Sequence, residues 1–353
     1  MSRVHLGDVA IEHKETCKED KSMYPIVGLE HLTPEQITLQ NWELNTENTF
    51  TKVFRKGNIL FGRRRAYLKK AAVAPFDGIC SGDITVIEAK EDKIIPELLP
   101  FVIQNDDLFD FAVGKSAGSL SPRVKWTHLQ NYEFELPTKE KQRELAKALW
   151  AIEDTRKSYQ ELIKRTDELV KSQFIELFGD VGKYELKSLA EVTEVIAGGD
   201  KPKDISENLT EEYCYPVYAN GVDNEGLQCY SKEYRVEKEA VTISARGTIG
   251  ATFIRQPFFT PIVRLIAVVP NREVNVTYLK YAIDALGTSS TGSSQQQLTV
   301  PNIKKEMIAV PPLEKQKEFE QFIWQSDKSK FELNRALDEL TATYKQIIKD
   351  NLG

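Results

Sequence analysis

The feature that most constrains this chain is an internal repeat. Displaced by 174 residues, Leu136-Pro137-Thr138-Lys139-Glu140-Lys141-Gln142 falls on Val310-Pro311-Pro312-Leu313-Glu314-Lys315-Gln316 without a gap. At the same displacement Leu129 meets Ile303, Phe134 meets Ile308 and Trp150 meets Trp324. Earlier in each half the offset grows to about 180: Val4-His5-Leu6 answers Tyr184-Glu185-Leu186, and Asn58-Ile59-Leu60-Phe61-Gly62 answers Ala240-Val241-Thr242-Ile243-Ser244. The chain therefore folds twice over, each time as a variable globular part followed by a helical part in strict register. The predicted boundaries are 1–138 and 180–312 for the globular parts, and 139–179 and 313–353 for the helices.

The helical parts carry their own signature. Leu145, Leu149, Ile152, Arg156, Tyr159, Ile163, Thr166 and Val170 follow 4-3-4-3 spacing, and so do Phe319, Ile323, Ser326, Lys330, Leu333, Leu337, Leu340 and Tyr344. A narrow apolar stripe with charged flanks over about four heptads predicts a coiled coil. Pro137 and Pro311–Pro312 mark the helix starts, and Gly179 and Gly182 stop the first helix. The second globular part carries the chain back, so an antiparallel pair is expected. Arg156 and Lys330 interrupt the stripes at equivalent places, which suggests one shared polar layer. Roughly 40 residues at ~1.5 Å each give a spacer near 60 Å.

The globular parts read as mixed α/β. Asn58 to Phe61, Ile84 to Glu88, Ala240 to Ala245 and Arg264 to Val269 are strand-like runs, while Pro96 to Asp107 and Thr277 to Leu286 look helical. Polar loops follow at Gly114–Arg123 and Gly287–Gln297. Such loops at one point of both copies are candidate contact surfaces.

Composition bounds the setting. With 41% hydrophobic and 28% charged residues the chain is an ordinary folded protein. The best apolar stretch, Leu265 to Val269, falls far short of the ~18–20 residues a membrane span needs. His5, Asp8, Glu12 and Lys14 leave no signal-peptide core. Cys17, Cys80, Cys214 and Cys229 form no CxxC pair, so reduced thiols in a cytoplasm are expected. The net charge of −6 divides equally between the halves and hides a local excess of the opposite sign. From Lys52 to Lys70 there are eight basic residues and no acidic one: Lys52, Arg55, Lys56, Arg63, Arg64, Arg65, Lys69 and Lys70. Phe50, Phe54, Phe61 and Tyr67 are interleaved with them. Such a run attracts polyanions whatever the overall charge.

Enzyme signatures fail on context. Gly114-Lys115-Ser116-Ala117-Gly118 fits G-x-S-x-G, but a Ser-rich loop and Pro122 follow it and the only later histidine is His128. The same Gly-Lys-Ser lacks the upstream glycine of a phosphate-binding loop, where Phe109 stands. Asp77, Glu88 and Lys90 resemble a two-carboxylate, one-lysine nuclease site for Mg²⁺. The second copy offers no carboxylate at either matching place, around Phe259 and Asn271. All four histidines lie in the first half, and Cys214 and Cys229 lack a second pair at zinc spacing.

Two variable α/β domains, two in-register helices beginning Leu-Pro…Glu-Lys-Gln, and no catalytic centre form a recognisable set. Over essentially its full length the sequence resembles the DNA-specificity subunit of type I restriction–modification systems. The resemblance makes the variable parts target-recognition domains and the helices spacers. Phe61-Gly62-Arg63-Arg64-Arg65-Ala66-Tyr67 and Ile243-Ser244-Ala245-Arg246-Gly247-Thr248-Ile249-Gly250 look like the family's strand-Ser-Arg-x-Gly segment. The first copy has Gly62 for the serine and Arg65 for the glycine. Ser119 to Trp126 resembles the Ser-Pro-Arg loop, and its counterpart, Ser293 to Thr299, lacks the arginine.

What the resemblance implies is a non-catalytic reader of a split double-stranded DNA target. Its partners would be two methyltransferase subunits holding S-adenosylmethionine, and restriction (translocase) subunits using ATP and Mg²⁺. The chain itself would hold no cofactor. Candidate DNA contacts are Arg63, Arg64, Arg65, Lys69, Lys70, Arg123, Lys125 and Arg246, with Gln295, Gln296 and Gln297 as amides able to read adenine. A coiled-coil scaffold that binds no DNA is the rival from another class, and the Lys52–Lys70 run argues against it.

Overall fold

The computed structural model describes residues 2–18, 21–116, 122–180, 182–287 and 298–353. It divides into two compact units, residues 1–162 with 333–353, and residues 163–332. Each unit joins one α/β part to a stretch of both long helices, α1 (Lys139–Phe178) and α2 (Leu313–Leu352). No helix among the described residues is long and apolar enough to cross a membrane.

In the first unit a four-stranded antiparallel sheet runs in the order Ala10–Glu12, Ile84–Ala89, Ile59–Gly62, Ala71–Val73. A smaller sheet orders Ile26–Val27, Gly78–Cys80 and Lys52–Phe54. Ser2–His5 pairs with Glu133–Leu136 immediately before Pro137. The second unit repeats this plan. Its main sheet runs Thr193–Ala197, Ile266–Pro270, Ala240–Ile243, Thr252–Arg255, and Glu185–Ser188 pairs with Met307–Val310. Its smaller sheet holds Ile205–Ser206, Leu227–Ser231, Tyr215–Tyr218 and Thr260–Pro261. Even a minor device recurs: His5 with Asp8, and Ser188 with Glu191, close the same capping box on a one-turn helix. All four predicted strands form. The helix expected over 96–107 is instead two, Leu99–Ile103 and Asp106–Gly114. Asn105 separates them, because its side chain accepts from Asp107 N at 3.1 Å and starts the second helix as its N-cap. Thr277–Leu286 corresponds to the helix Val276–Ala285.

The repeated Lys-Gln has a structural task. Gln142 and Gln316 are buried. Gln142 Oε1 accepts the backbone N–H of Ile95 at 2.9 Å, and its Nε2 donates to Pro137 O at 2.8 Å. Gln316 Oε1 accepts from Asn275 N at 2.7 Å, and its Nε2 donates to Pro311 O at 2.8 Å and Glu273 O at 2.9 Å. In both copies one amide ties the helix start to the α/β part. The matching tryptophans diverge. Trp150 donates to Glu97 O at 2.9 Å and meets Phe101 edge-on, whereas Trp324 is 65% exposed.

The helices pair antiparallel, and the predicted seam faces inward. Leu145 and Leu149 are buried with Tyr344, Ile348 and Leu352 in the first unit's core. Val170, Phe174 and Phe178 are buried with Phe319 and Ile323 in the second's. Tyr159, Ile163, Leu333, Leu337 and Leu340 are half-buried. The polar interruptions do not share a layer. Arg156 pairs with the buried Glu153 at 3.0 Å and lies 5.6 Å from the Tyr344 ring centre. Lys330 sits 2.9 Å from both Asp167 and Asp327. Each unit thus has its own polar layer. The same-helix acids Glu153 and Asp327 are equivalent across the repeat, whereas the cross-helix partners Tyr344 and Asp167 differ because the helices run antiparallel.

Candidate nucleic-acid interface

The basic run begins on a buried strand and leaves it at an exposed turn. Phe61, fully buried and stacked on Phe109 at 5.5 Å, fixes the end of Ile59–Gly62. Beyond it Arg63 N donates to Asp83 O at 3.0 Å, Val124 N to Arg63 O at 2.9 Å and Arg65 N to Pro122 O at 2.9 Å. These bonds lay residues 63–65 alongside 122–124, with Arg64 and Arg123 bridged. Segments about 60 residues apart in sequence thus share one edge.

One carboxylate organises that edge. Arg123 grips Asp83 bidentately, Nε to Oδ1 at 2.7 Å and Nη2 to Oδ2 at 3.1 Å. Arg64 Nη1 is 3.7 Å and Arg63 Nε 3.9 Å from the same carboxylate. The hydrogen bond from Arg123 holds the Asp83 carboxyl below the usual carboxylate range. Three guanidinium groups around one carboxylate leave an excess of two positive charges. The cluster borders an open depression of about 630 Å³ that Thr49, Thr51 and Ser81 also line. Arg65, Tyr67 and Lys125 are exposed nearby in sequence.

Four more residues of the basic run are tied into the fold. Lys69 pairs with Asp106 at 2.5 Å, and Lys70 donates to Leu29 O at 2.8 Å. Lys52 donates to Ile84 O at 2.7 Å, and Arg55 binds Glu15 and Asp77. Lys69 and Lys70 are thus held by partners within the fold, as Arg63, Arg64 and Arg123 are by Asp83, and they stay with those arginines as proposed DNA contacts. Sequence reasoning weighed charge alone and had no sight of Glu15, Asp77 or Asp106 as partners.

In the second unit Arg246 stands exposed in the turn between Ala240–Ile243 and Thr252–Arg255. The turn is braced from outside: Asn220 Oδ1 accepts from Ala245 N at 2.8 Å, while Asn220 Nδ2 donates to Val263 O at 2.7 Å. Gln295, Gln296 and Gln297 lie outside the described residues. The nuclease-like trio does not converge on common partners. Asp77 bonds Arg55 and Lys56 N, Glu88 bonds His13 at 2.7 Å, and Lys90 donates to Gly7 O at 2.6 Å. Among the described residues no group of three or more His, Cys, Asp or Glu is placed to hold a metal ion.

The family described as "Type I restriction modification DNA specificity domain" matches residues 3–165 and again 181–341. The chain belongs to that family. Its members are the non-catalytic specificity subunits of type I restriction–modification systems, and membership favours that role over a scaffold or a nuclease. A Mycoplasma pneumoniae protein named as type I specificity subunit S.MpnORF507P is 27% identical over 86% of this chain and 82% of its own length. A second from the same organism, S.MpnORF89P, is 43% identical over 38% of this chain, and that match spans only 40% of the relative's length. A solved chain from work on assembly and conformational transition of a type I restriction–modification system superposes with a TM-score of 0.63 at 22% identity. The superposition covers 99% of this chain and 97% of that one, so the two chains share a fold.

Proposed function

We propose that this chain reads a split double-stranded DNA target, one half through residues 1–138 and the other through 180–312, with the long helices setting the unread gap. The observation that carries this is the arginine cluster. Arg63, Arg64 and Arg123 converge on Asp83 at the surface of a recognition domain in a chain of the specificity family. Guanidinium groups suit both phosphate and the guanine edge, and a fixed cluster favours sequence reading over loose attraction. Arg65 and Lys125 extend the proposed DNA-binding surface in the first half, and Arg246 supplies one side chain in the second.

The chain would work in the cytoplasm beside two methyltransferase subunits that hold S-adenosylmethionine. In a restricting complex, translocase subunits using ATP and Mg²⁺ would join them. Its own share is placement of those partners, with no bond made or broken. The test is duplex binding across a salt series by the full chain and by R63A/R64A/R123A. The triple variant should bind more weakly, and the log–log salt slope should flatten by ~0.9 for each phosphate no longer neutralised. Unchanged affinity and slope would overturn the DNA-binding role of the cluster.

A further inference from the structure

A buried arginine in the second unit is devoted to holding one exposed turn. Arg255, at the end of Thr252–Arg255, is 2% exposed. Its guanidinium lies 3.8 Å from the Tyr218 ring centre and 4.9 Å from that of Phe253. Nε donates to Thr242 Oγ1 at 3.0 Å, Nη1 to Glu225 Oε2 at 3.0 Å and Nη2 to Glu225 O at 2.5 Å. A buried guanidinium is tolerated only when its charge is matched and its donors are used. Here Glu225, itself exposed, supplies both the matching charge and two of the three acceptors.

The turn so held is strained. Asn224, Glu225 and Gly226 all have positive φ, at 45°, 51° and 82°. Asparagine and glycine take that conformation readily, as hairpin turns require, so the strain falls on Glu225, which Arg255 holds. Gly226 is required twice over, since a Cβ there would sit 2.3 Å from Ala219 O. Ala219 N closes the turn on Gly226 O at 2.9 Å. The turn is also fastened to the Arg246 hairpin: besides the Asn220 bond, Gly221 N donates to Ser244 Oγ at 3.4 Å. Asn224 is exposed between the two anchors.

We infer that Asn224 reads a base in the second half-site, and that Arg255 is the positioning residue that fixes its direction. The inference rests on the DNA-reading role proposed above. An asparagine amide offers one donor and one acceptor to the matching pair on adenine, and it discriminates only if its direction is set beforehand. Glu225 is neutralised by Arg255, and the Asn224 amide is a neutral hydrogen-bonding group exposed at the tip.

The test uses the full chain assembled with its methyltransferase subunits, and recovers bound sequences from a random duplex library. The unaltered chain should return a split motif. N224A, and N224G, which suits the left-handed backbone better, should lose preference at one base pair of one half by about tenfold or more. The other half should persist, and the salt slope should not change. R255K keeps the charge but lacks the planar fork, and it should loosen the same position. A split motif identical at every position in N224A and N224G would overturn the inference while leaving the DNA-reading role intact. A uniform loss of affinity with a flatter salt slope would do the same, by making Asn224 a phosphate-binding residue. No split motif from the unaltered chain would overturn the role and the inference together.

Discussion

On the proposed DNA-binding surface, Asp83 would decide whether the arginines discriminate or merely attract. Three arginines without it would repel one another and point in no fixed direction; with it, Arg123 is locked bidentately and Arg63 and Arg64 are drawn to the same point. D83N should therefore retain or gain affinity for arbitrary duplex while losing preference for the target. Competition titrations with target and scrambled duplex would check this, and an unchanged preference would contradict it. The pH dependence has a definite sign. The Asp83 carboxyl is held below its ordinary 3.8, so its stabilising pairing is complete above that value. The pairing is lost as pH falls through the lowered one. Stability measured against pH should show the advantage of the unaltered chain over D83N constant above about pH 4 and shrinking below it. Arg123 was legible in the sequence through its Ser-Pro-Arg setting. Asp83 was not, because it is an isolated acid 40 residues away in a Ser-Gly-Asp turn. Arg255 was hidden for a related reason: nothing local marks an arginine at the end of a strand as buried.

At the scale of elements, the helices were the most legible part, because a 4-3-4-3 stripe has few other solutions. Their polar layers were half legible. The interruptions at Arg156 and Lys330 and their same-helix acids Glu153 and Asp327 are readable in the sequence, but the cross-helix partners Tyr344 and Asp167 depend on chain direction. The Lys-Gln match was the clearest trace of the repeat, and its cause is now physical. Each glutamine satisfies a backbone N–H and at least one carbonyl where a helix leaves an α/β part. Replacing either by alanine strands those groups in a buried place, so Q142A and Q316A should each cost ~1–3 kcal/mol. Denaturant unfolding would measure it, and a loss below about 0.5 kcal/mol, the size of an ordinary surface substitution, would contradict the staple. Asn105 shows the opposite failing. Apolar periodicity ran through it, and only its capping bond ends one helix and begins the next.

For the whole molecule, the repeat is preserved where it builds the fold and lost where it faces outward. The main sheets share one strand order, while Trp150 and Trp324 occupy different surroundings. Two copies of one scaffold with different exposed turns are what independent reading of two half-sites requires. If the helices act as a ruler, one heptad added to both should lengthen the unread gap by about 10 Å at ~1.5 Å per residue. That is about three base pairs at ~3.4 Å each. Binding at the original spacing with unchanged affinity would contradict a rigid ruler. The most direct test of two independent readers is to map methylated motifs in cells carrying this chain and its methyltransferase partner. The mapping is then repeated after residues 180–312 are exchanged for those of a relative. Two independent readers should give a split motif in which one half changes, while the other half and the gap between them stay fixed. A single uninterrupted motif, or an exchange that alters both halves, would contradict it.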